Sequence, residues 1–447
     1  MDSRSRLVVL AGLASLAVGC GSGTAETDAG LAAQLIVDAL PDTVFGRFFV
    51  ATAHANGLLL KDATLTVDAA TPAQQTVTST VCQGVTQPGT FYWCTASAPG
   101  FVGSATWILY GPKALGNGPH TVQFDVSDAN GEHTSVQRRF VTYVPDIEYG
   151  ATMLDAGTAA DASALDINAS GVVVGWVQNG LSSYAAMWSP NGALTVLDTA
   201  GSQALAVNDS GDVAGVSNNK AVLWSHGARQ EAPGFGSATA INNLGLVGIT
   251  RGHTSISFWQ NGGTVTDLGA CFLATVPMRL CSVSGLNDRG QAVGAALSPH
   301  GNEIVGGYQI DIAFPSPPAS VTPFANASSI VLNNPGQYAG SVSSARSALF
   351  YGGDGKPPRL LAAEFGLGAV DNNPNVRDLN DANELLVFER TSQTAYLLRE
   401  GRVSRVHVSD ADIAIDDVAA LSAVGTIVGH GTNKRTGRAG AVVLTRR

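Results

Sequence analysis

Three oxygen-bearing side chains alternate along one short segment of the chain. Asp166, Asn168 and Ser170 precede Gly171, and oxygens at every second position are how a calcium-binding loop begins. The segment has no glutamate at the twelfth position, where such a loop is closed. A second, weaker candidate combines Asp378, Asn380 and Glu384. We interpret both segments as structural hairpin turns and predict no metal site, with Asp166, Asn168 and Ser170 as the weak candidates for one.

Residues that support catalysis show no recognisable spacing. The eight histidines are scattered, without His-x-His or i,i+4 pairs, and no Gly-x-Ser-x-Gly nucleophile elbow occurs. We expect each histidine to have a surface or loop role, and we expect Asp410, Asp412, Asp416 and Asp417 to form a solvated loop. The sequence therefore identifies no catalytic residue and no cofactor, and it favours a binding protein over an enzyme.

The N-terminus carries the most specific local signal. Arg4 and Arg6 precede an apolar run over residues 7–18, which is too short to span a bilayer as a stop-transfer helix, and Cys20 follows. The pattern resembles a bacterial lipoprotein signal, which implies a membrane anchor through lipid on Cys20. Gly21 in place of Asp favours the outer membrane by the same resemblance, with periplasmic or surface display left open. The alternative is an ordinary secretory signal with an incidental cysteine.

The other four cysteines form two close pairs, Cys82 with Cys94 and Cys271 with Cys281. In an oxidising compartment, such pairs are expected to be disulfides. A metal site is the alternative, but no Cys-x-x-Cys or paired histidine spacing supports it.

Composition restricts the class of partner. Charged residues make up 13% of the chain, glycine contributes 52 of 447 residues, and the net charge is −10. The low charge and high glycine content indicate a turn-rich β protein. A net negative charge without an extended Lys/Arg cluster argues against nucleic-acid binding.

The candidate calcium segment belongs to a phrase that recurs seven times. The phrase is Asn-x-x-Gly-x-Val-x-Gly, between Ile167 and Gly429, with copies 34 to 47 residues apart. Its first glycine position is occupied in turn by Gly171, Gly211, Gly245, Gly290, Gly336, Asn383 and Gly425. Asparagine followed by a glycine with positive φ predicts a tight hairpin turn. Asn383 fits this interpretation, because asparagine tolerates the left-handed region. In the seventh copy, Ser422 replaces the asparagine.

A second phrase places Trp188, Trp224 and Trp259 in register, and we expect these side chains to pack in the core or between repeats rather than stack on sugars. Each copy then holds three or four short strands, the size of a propeller blade. The last copy stops after its third strand. We predict that residues 151–155 complete it by pairing with residues 439–445 and so close the ring.

Together these phrases resemble the HAF-type repeat of bacterial extracellular proteins, Ala-x-x-Ile-Asn-x-x-Gly-x-Val-Val-Gly followed by Ala-Phe-x-Trp. The resemblance covers residues 151–447 and is strongest in the first three copies. It implies an exported, β-rich repeat protein without a defined activity.

The region before the repeats has a different pattern. Seven β-like runs are expected at residues 45–53, 63–69, 75–81, 90–97, 105–110, 121–127 and 135–143, which suits a β-sandwich. Residues 118–131 and the opening at residues 41–46 resemble the ends of bacterial immunoglobulin-like modules. We therefore predict an all-β chain with four segments: a lipoprotein signal peptide at 1–19, a flexible tether at 20–34, an immunoglobulin-like β-sandwich at 35–147, and a seven-bladed β-propeller at 148–447.

The sequence favours a lipid-anchored cell-envelope protein that binds or scaffolds a protein or glycan ligand. The alternative is an envelope polysaccharide hydrolase or lyase with its site in the propeller funnel. Residues 271–281 and 314–323 interrupt the repeat and are the loops where we expect binding.

Overall fold

In a computed structural model of the protein, the described residues form strands and turns, and none of them is helical. The structure describes residues 34–37, 43–44, 50–58, 60–69, 71, 74–80, 90–94, 102–110, 117–128, 133–199, 201–252, 255–260, 263, 265–268, 279–280, 282–297, 304–312, 320–325, 327–342, 349–353, 356–360, 374–390, 392–399 and 402–447. Among these residues, no helix has the length and apolar character needed to cross a membrane. The predicted all-β class is confirmed for this part of the chain.

Nine strands in the N-terminal region form two sheets. They are β1 (Gln34–Val37), β2 (Thr43–Val44), β3 (Val50–Leu58), β4 (Leu60–Val67), β5 (Gln75–Thr80), β6 (Thr90–Cys94), β7 (Val102–Tyr110), β8 (Gly118–Asp128) and β9 (His133–Thr142). One sheet has the order β1-β3-β7-β6 and the other β2-β9-β8-β4-β5. The sheets contact each other through β3 and β8 and through β1 and β9. All seven strands expected from the sequence in this region overlap observed ones.

The strands after residue 160 fall into seven successive units, numbered one to seven, within which neighbouring strands pair antiparallel. Units one to three are β11–β14 (Asp161–Ile167, Val173–Asn179, Ser182–Trp188, Leu194–Val196), β15–β18 (Ser202–Val207, Val213–Ser217, Lys220–Ser225, Ala228–Glu231) and β19–β22 (Ser237–Ile241, Leu246–Arg251, Ser255–Gln260, Val265–Asp267). Unit four is β23–β27 (Arg279–Leu280, Gly285–Leu286, Gln291–Leu297, Ile304–Asp311, Ser320–Ala325), and unit five is β28–β31 (Ala327–Leu332, Tyr338–Val342, Leu349–Gly353, Lys356–Leu360). Unit six is β32–β35 (Pro374–Leu379, Leu385–Glu389, Thr394–Arg399, Arg402–Val408), and unit seven is β36–β38 (Ile413–Leu421, Ile427–Asn433, Arg438–Arg446).

Unit seven obtains its fourth strand from the beginning of the repeat region. This strand is β10 (Asp146–Met153), which pairs antiparallel with β38, so that Ala151 lies opposite Leu444. Its other edge pairs parallel with β35 of unit six, which joins units six and seven into one eight-stranded sheet. The prediction that the strand at residue 151 completes the last repeat is confirmed.

The first strands of the units lie side by side in a cycle, in which β24, paired like β23 with β25, represents unit four. Strands β11, β15, β19, β24, β28, β32 and β36 each contact the next, and β36 contacts β11. Apolar side chains fill the space between neighbouring units: Trp224 packs with residues of units one and two, and Trp259 with residues of units two and three. Trp188 is fully buried between units seven and one. The expectation that these tryptophans are packing residues is confirmed.

The last glycine of the repeated phrase allows two strands to approach closely. In unit one, a β-bulge between Ala164 and Asp166 brings the backbone carbonyl of Ser163 towards β12. A Cβ atom on Gly175 would lie 1.9 Å from that carbonyl oxygen. The same contact recurs in units two, four and seven, where a Cβ atom would lie 1.8 to 2.3 Å from a first-strand carbonyl oxygen. No residue with a side chain fits there without moving the bulge.

Candidate functional site

The asparagine of each repeat holds its own turn with its carbonyl oxygen. In unit one, the backbone N–H of Val172 donates to Oδ1 of Asn168 at 2.9 Å, and Gly171 N donates to the backbone carbonyl of Asn168. Gly171 has φ +84°, and Asn383, which replaces glycine in the sixth copy, has φ +61°. The predicted turn conformation is confirmed at both positions, and Asn168 is almost fully buried.

The amide nitrogen of the same asparagine reaches the next unit. Asn168 Nδ2 donates to the backbone carbonyl of Asn208 at 2.9 Å, and Asn208 in turn donates to Asn242. The chain of contacts continues through Asn287, Asn333 and Asn380 and ends on the carbonyl of Ser422, with all six distances between 2.9 and 3.2 Å. We call this set of contacts the asparagine belt. It binds each unit to the next in one direction.

A second row of contacts runs beside the belt. The backbone N–H of the residue after each asparagine donates to the side chain at the same position of the next unit, as Ala169 does to Asp209 at 2.9 Å. Four further interfaces repeat the contact, which uses Asp209, Asn243, Asp288, Asn334 and Asp381. Because aspartate and asparagine alternate along this row, no two carboxylates are direct neighbours.

Inside the ring of first strands lies a cavity of about 310 Å³. Its lining includes the second row together with side chains at the ends of the first strands. The charged residues in the lining are Asp166, Asp209, Asp288, Asp378, Asp381 and Arg377. Five carboxyl groups against one guanidinium make this axial cavity acidic.

Two of these acids, Asp166 and Asp378, do not belong to the repeat. The equivalent positions of the other units hold Ala206, Ala240, Gly285, Val331 and Ala420. Asp166 accepts the backbone N–H of Ile167 and, from the next unit, that of Val207. Asp378 makes the matching pair of contacts with Leu379 and Leu421. Both carboxyl groups therefore fasten neighbouring first strands together.

Burial raises the pKa of the Asp166 carboxyl from its ordinary value of 3.8 to about 7, and the charge on Asp378 adds to the rise. Burial likewise raises the pKa of Asp378 to about 6. The backbone N–H donors oppose both shifts, because they favour the charged form. At neutral pH these two groups are close to their titration range, unlike ordinary carboxylates.

Arg377 is the one cation in the cavity lining. Its guanidinium contacts Asp417 and lies 5.7 Å from the centre of the Phe388 ring. Burial lowers the pKa of this guanidinium below its ordinary value, against the opposing charge of Asp417. Arg377 therefore faces its own acid and does not neutralise Asp166.

The structure assigns protein partners to the weak calcium candidates. Asp166 accepts two backbone N–H groups, and Ser170 Oγ donates to Asn168 Oδ1 at 2.8 Å. Within the described ranges, no group of three or more His, Cys, Asp or Glu side chains is arranged to hold a metal ion. Asp166 and Asn168 do line one cavity, but their polar atoms there bind backbone groups of the neighbouring unit.

Several sequence predictions fall outside the described residues. Cys20, Cys82, Cys271 and Cys281 lie there, and for Cys94 the structure describes only a backbone position in β6. The lipid site and both disulfides therefore stay predictions. The two expected binding loops, 271–281 and 314–323, also fall largely outside, apart from residues 279–280 in β23 and residues 320–323 in β27.

Two expectations about charged residues were wrong. Asp416 and Asp417 lie in strand β36, not in a loop, because Thr432 and Arg377 bind them there; Asp410 and Asp412 do precede the strand. His430 lies in β37 between two acids, with Nε2 3.1 Å from Asp161 and Nδ1 3.2 Å from Asp416. It thereby connects unit seven to unit one.

His120 also departs from the expected surface or loop role. It lies in β8 with Nδ1 2.6 Å from Asp68 Oδ2 and its ring beside Phe140. The belt itself was missed at the sequence level. The sequence does carry a signal for the second row, in the alternation of aspartate and asparagine directly after the repeated asparagine.

No family model matches the chain, and no curated protein matches it. Two solved structures align with it at 11% sequence identity. One is described as "Structural insight into host cell surface retention of a 1.5-MDa bacterial ice-binding adhesin"; the alignment covers 93% of this chain and 98% of that one, with a TM-score of 0.16. The other, "Crystal structure of tetra-tandem repeat in extending region of large adhesion protein", aligns over 85% and 98% with a TM-score of 0.18. At such low TM-scores, neither alignment bears on the fold or function of this chain.

Proposed function

We propose that this chain is a lipid-anchored protein of the bacterial cell envelope that binds or scaffolds a protein or glycan ligand. Its architecture would be an immunoglobulin-like β-sandwich over residues 35–147 followed by a seven-bladed β-propeller over residues 148–447. The cyclic contact of the seven first strands and the completion of unit seven by β10 support the propeller. The two contacting N-terminal sheets support the sandwich.

The acidic axial cavity is the observation that carries the binding function. Its carboxylates and amides are held by backbone contacts and need no rearrangement to receive a ligand. Fixed oxygens around a cavity of about 310 Å³ suit a ligand that presents amino or hydroxyl groups. Asp209 is the most suitable of these acids for substitution. Only the backbone N–H of Ala169 reaches its carboxylate from the preceding unit, whereas Asp288 and Asp381 also accept a side-chain amide.

The test is binding by the full chain on a glycan array and in an envelope pull-down. At pH 8, above the raised pKa of Asp166, Asp166→Asn combined with Asp209→Asn should weaken capture by about tenfold, since each then removes a charge from the cavity. Asparagine already fills the position of Asp209 in units three and five, so the belt is expected to survive. Asp267→Asn, on an outer strand, is the matched control. Unchanged binding by the double variant, or no ligand on either screen, would refute the proposal.

Attachment to the membrane has a separate test. The wild-type chain, expressed in a bacterial host, should be recovered in the membrane fraction with a lipid-modified N-terminal peptide in mass spectrometry. Cys20→Ser should move it to the soluble fraction, because stable anchoring needs the acyl chains. A wild-type protein with an unmodified Cys20 would contradict the anchor and leave the axial site untouched.

A second function, hydrolysis or cleavage of an envelope polysaccharide, is favoured by one observation. Asp166 and Asp378 are two unrepeated carboxyl groups with raised pKa values in one cavity, as acid–base catalysis requires. Their oxygens already accept backbone N–H groups, and for this reason binding is our first proposal. The test is the release of reducing or unsaturated sugar ends from an envelope polysaccharide between pH 4 and 8. If Asp378→Asn abolishes this release in a folded protein, catalysis would replace binding as the first proposal.

A further inference from the structure

The asparagine belt is broken at one interface, between unit seven and unit one, which we call the seam. Six interfaces carry an asparagine Nδ2 contact to the next unit, but unit seven has Ser422 in this place. Ser422 Oγ still accepts the turn N–H of Thr426 at 3.0 Å, as the asparagine Oδ1 does elsewhere. Serine thus keeps the acceptor role of the amide in the turn, but it lacks the amide nitrogen that reaches the next unit elsewhere.

Two backbone groups at the seam lack the partners that they have elsewhere. The carbonyl of Asn168 accepts Gly171 N, but the second donor, from the preceding unit, is missing. The N–H of Ala423 has no hydrogen-bond partner among the described residues, because Ala169 stands where the next unit would supply Asp or Asn. In the described part of the chain, the seam therefore presents one free acceptor, the carbonyl of Asn168, and one free donor, the N–H of Ala423. At the other interfaces a side-chain amide binds the acceptor and a side-chain oxygen binds the donor.

A second cavity, of about 190 Å³, lies at this place. Asn168, Ala169 and Ser422 line both this cavity and the axial one, so the two adjoin. Its remaining walls are mixed: Leu154 and the exposed side chain of Val424 are apolar, and Ser189, Thr426 and Thr445 carry hydroxyl groups. The space holds a small head group and is too small for an extended peptide.

We propose that the seam binds the acetamido group of an N-acetylated saccharide. Asn168 lines both cavities, Ala423 lines the axial one, and Leu154 and Val424 line the second, so the ligand would sit where the two adjoin. Its N–H would donate to the carbonyl of Asn168, its carbonyl would accept the N–H of Ala423 from the axial side, and its methyl would contact Leu154 and Val424. The ligand would thereby supply the two partners that the protein supplies at its other interfaces. This site does not depend on the acids of the axial cavity, so the inference goes beyond the function proposed above.

The test is a titration of the full chain by calorimetry and ligand-observed NMR. N-acetylglucosamine should bind with a millimolar dissociation constant, as expected for a small ligand. Glucosamine and glucose, which lack the acetamido group, should bind at least about tenfold more weakly. An N-acetylated amino-acid amide carries the same group on a peptide. Equal or tighter binding of that compound would overturn the saccharide assignment, and equal binding of glucose would overturn the site.

Closing the seam gives the decisive variant. Ser422→Asn with Ala169→Asp rebuilds the contacts that the other units use, and it should reduce N-acetylglucosamine affinity by at least about tenfold. Ala423→Pro removes only the N–H donor at a turn position that accepts proline, and it should have a similar effect if the double variant does not fold. Ser210→Asn, on the exposed turn of unit two, is the matched control.

A closed seam that still binds with wild-type affinity would refute the proposal, as would loss of binding in Ser210→Asn. Asp267→Asn, on β22 of unit three, should leave this binding unchanged, because it lines neither cavity. Loss of seam binding in that variant would show that overall charge, rather than the acetamido contacts, holds the sugar.

Discussion

The asparagine belt predicts different costs for two substitutions of one residue. Asn242 is nearly fully buried. Its Nδ2 donates to the carbonyl of Asn287 at 3.0 Å, and its Oδ1 accepts the N–H of Leu246 at 2.9 Å. Asn242→Ser should lose the contact between units and keep the turn contact, because Ser422 does this in unit seven. Asn242→Ala should lose both.

The magnitudes follow from these contacts. Losing one hydrogen bond between units costs about 1 kcal/mol of unfolding free energy. Losing the turn contact as well leaves the buried N–H of Leu246 without a partner, which adds about 1–3 kcal/mol. We therefore expect about 1 kcal/mol for Asn242→Ser and about 2–4 kcal/mol for Asn242→Ala.

Urea unfolding should give this order, and hydrogen–deuterium exchange of the peptide over residues 241–249 should locate it. The alanine variant should exchange faster in this turn than the serine variant. Ser422→Asn is the reciprocal control and should stabilise by up to about 1 kcal/mol, because it adds the missing contact. Equal costs for the two Asn242 variants would refute the division of roles between the amide nitrogen and oxygen.

Three further predictions concern other parts of the repeat region. Asp166 has a raised pKa, so its contribution to stability is complete below pH 3.8 and is lost as the pH rises through about 7. Asp166→Asn should therefore make the melting temperature depend less on pH between pH 4 and 8. The free energy involved has an upper limit of about 4 kcal/mol, because cavity water screens the charge. Gly211→Ala should cost about 1 kcal/mol of unfolding free energy, because Gly211 has a φ of +83° but open space around it. Gly175→Ala should prevent unit one from folding, because the new Cβ atom would lie 1.9 Å from a backbone oxygen. Circular dichroism and the yield of soluble protein measure the contrast. Tyr149→Phe should lower the unfolding free energy by about 1–2 kcal/mol, because the buried hydroxyl donates to the carbonyl of Gly425 at 2.9 Å; chemical denaturation measures it, and an unchanged midpoint would contradict the contact.

The sequence predicted what depends on neighbours along the chain. The turn of the repeat follows from an asparagine and a glycine three positions apart, and even Asn383, in the place of the glycine, adopts the expected positive φ. The strand at residue 151 could be placed in the last unit because the last copy stops after three strands and an extra strand precedes the first copy. Both inferences use local patterns and the count of strands.

The sequence could not show what depends on distant partners. Asn168 reaches Asn208 across 40 residues, and the same asparagine also explains a local turn, so the second role was hidden. Asp166 and Asp378 are 212 positions apart in the sequence, and only the ring of first strands brings them to one cavity. The sequence around Asp416 indicates an acidic loop, whereas the hydroxyl of Thr432 on the neighbouring strand donates to its carboxylate in strand β36.

The placement of β10 determines how a mechanical load enters the repeat region. Any pull from the residues before Asp146 acts along this strand, whose hydrogen bonds to β35 and β38 lie on both edges. The bonds to the antiparallel strand β38 are perpendicular to the strand direction, and those to the parallel strand β35 are slanted but evenly spaced along it. A force along β10 therefore loads them together in shear, not one at a time as in unzipping. The Arg405 guanidinium, which binds the Asp146 carboxylate, reinforces the point where the force arrives.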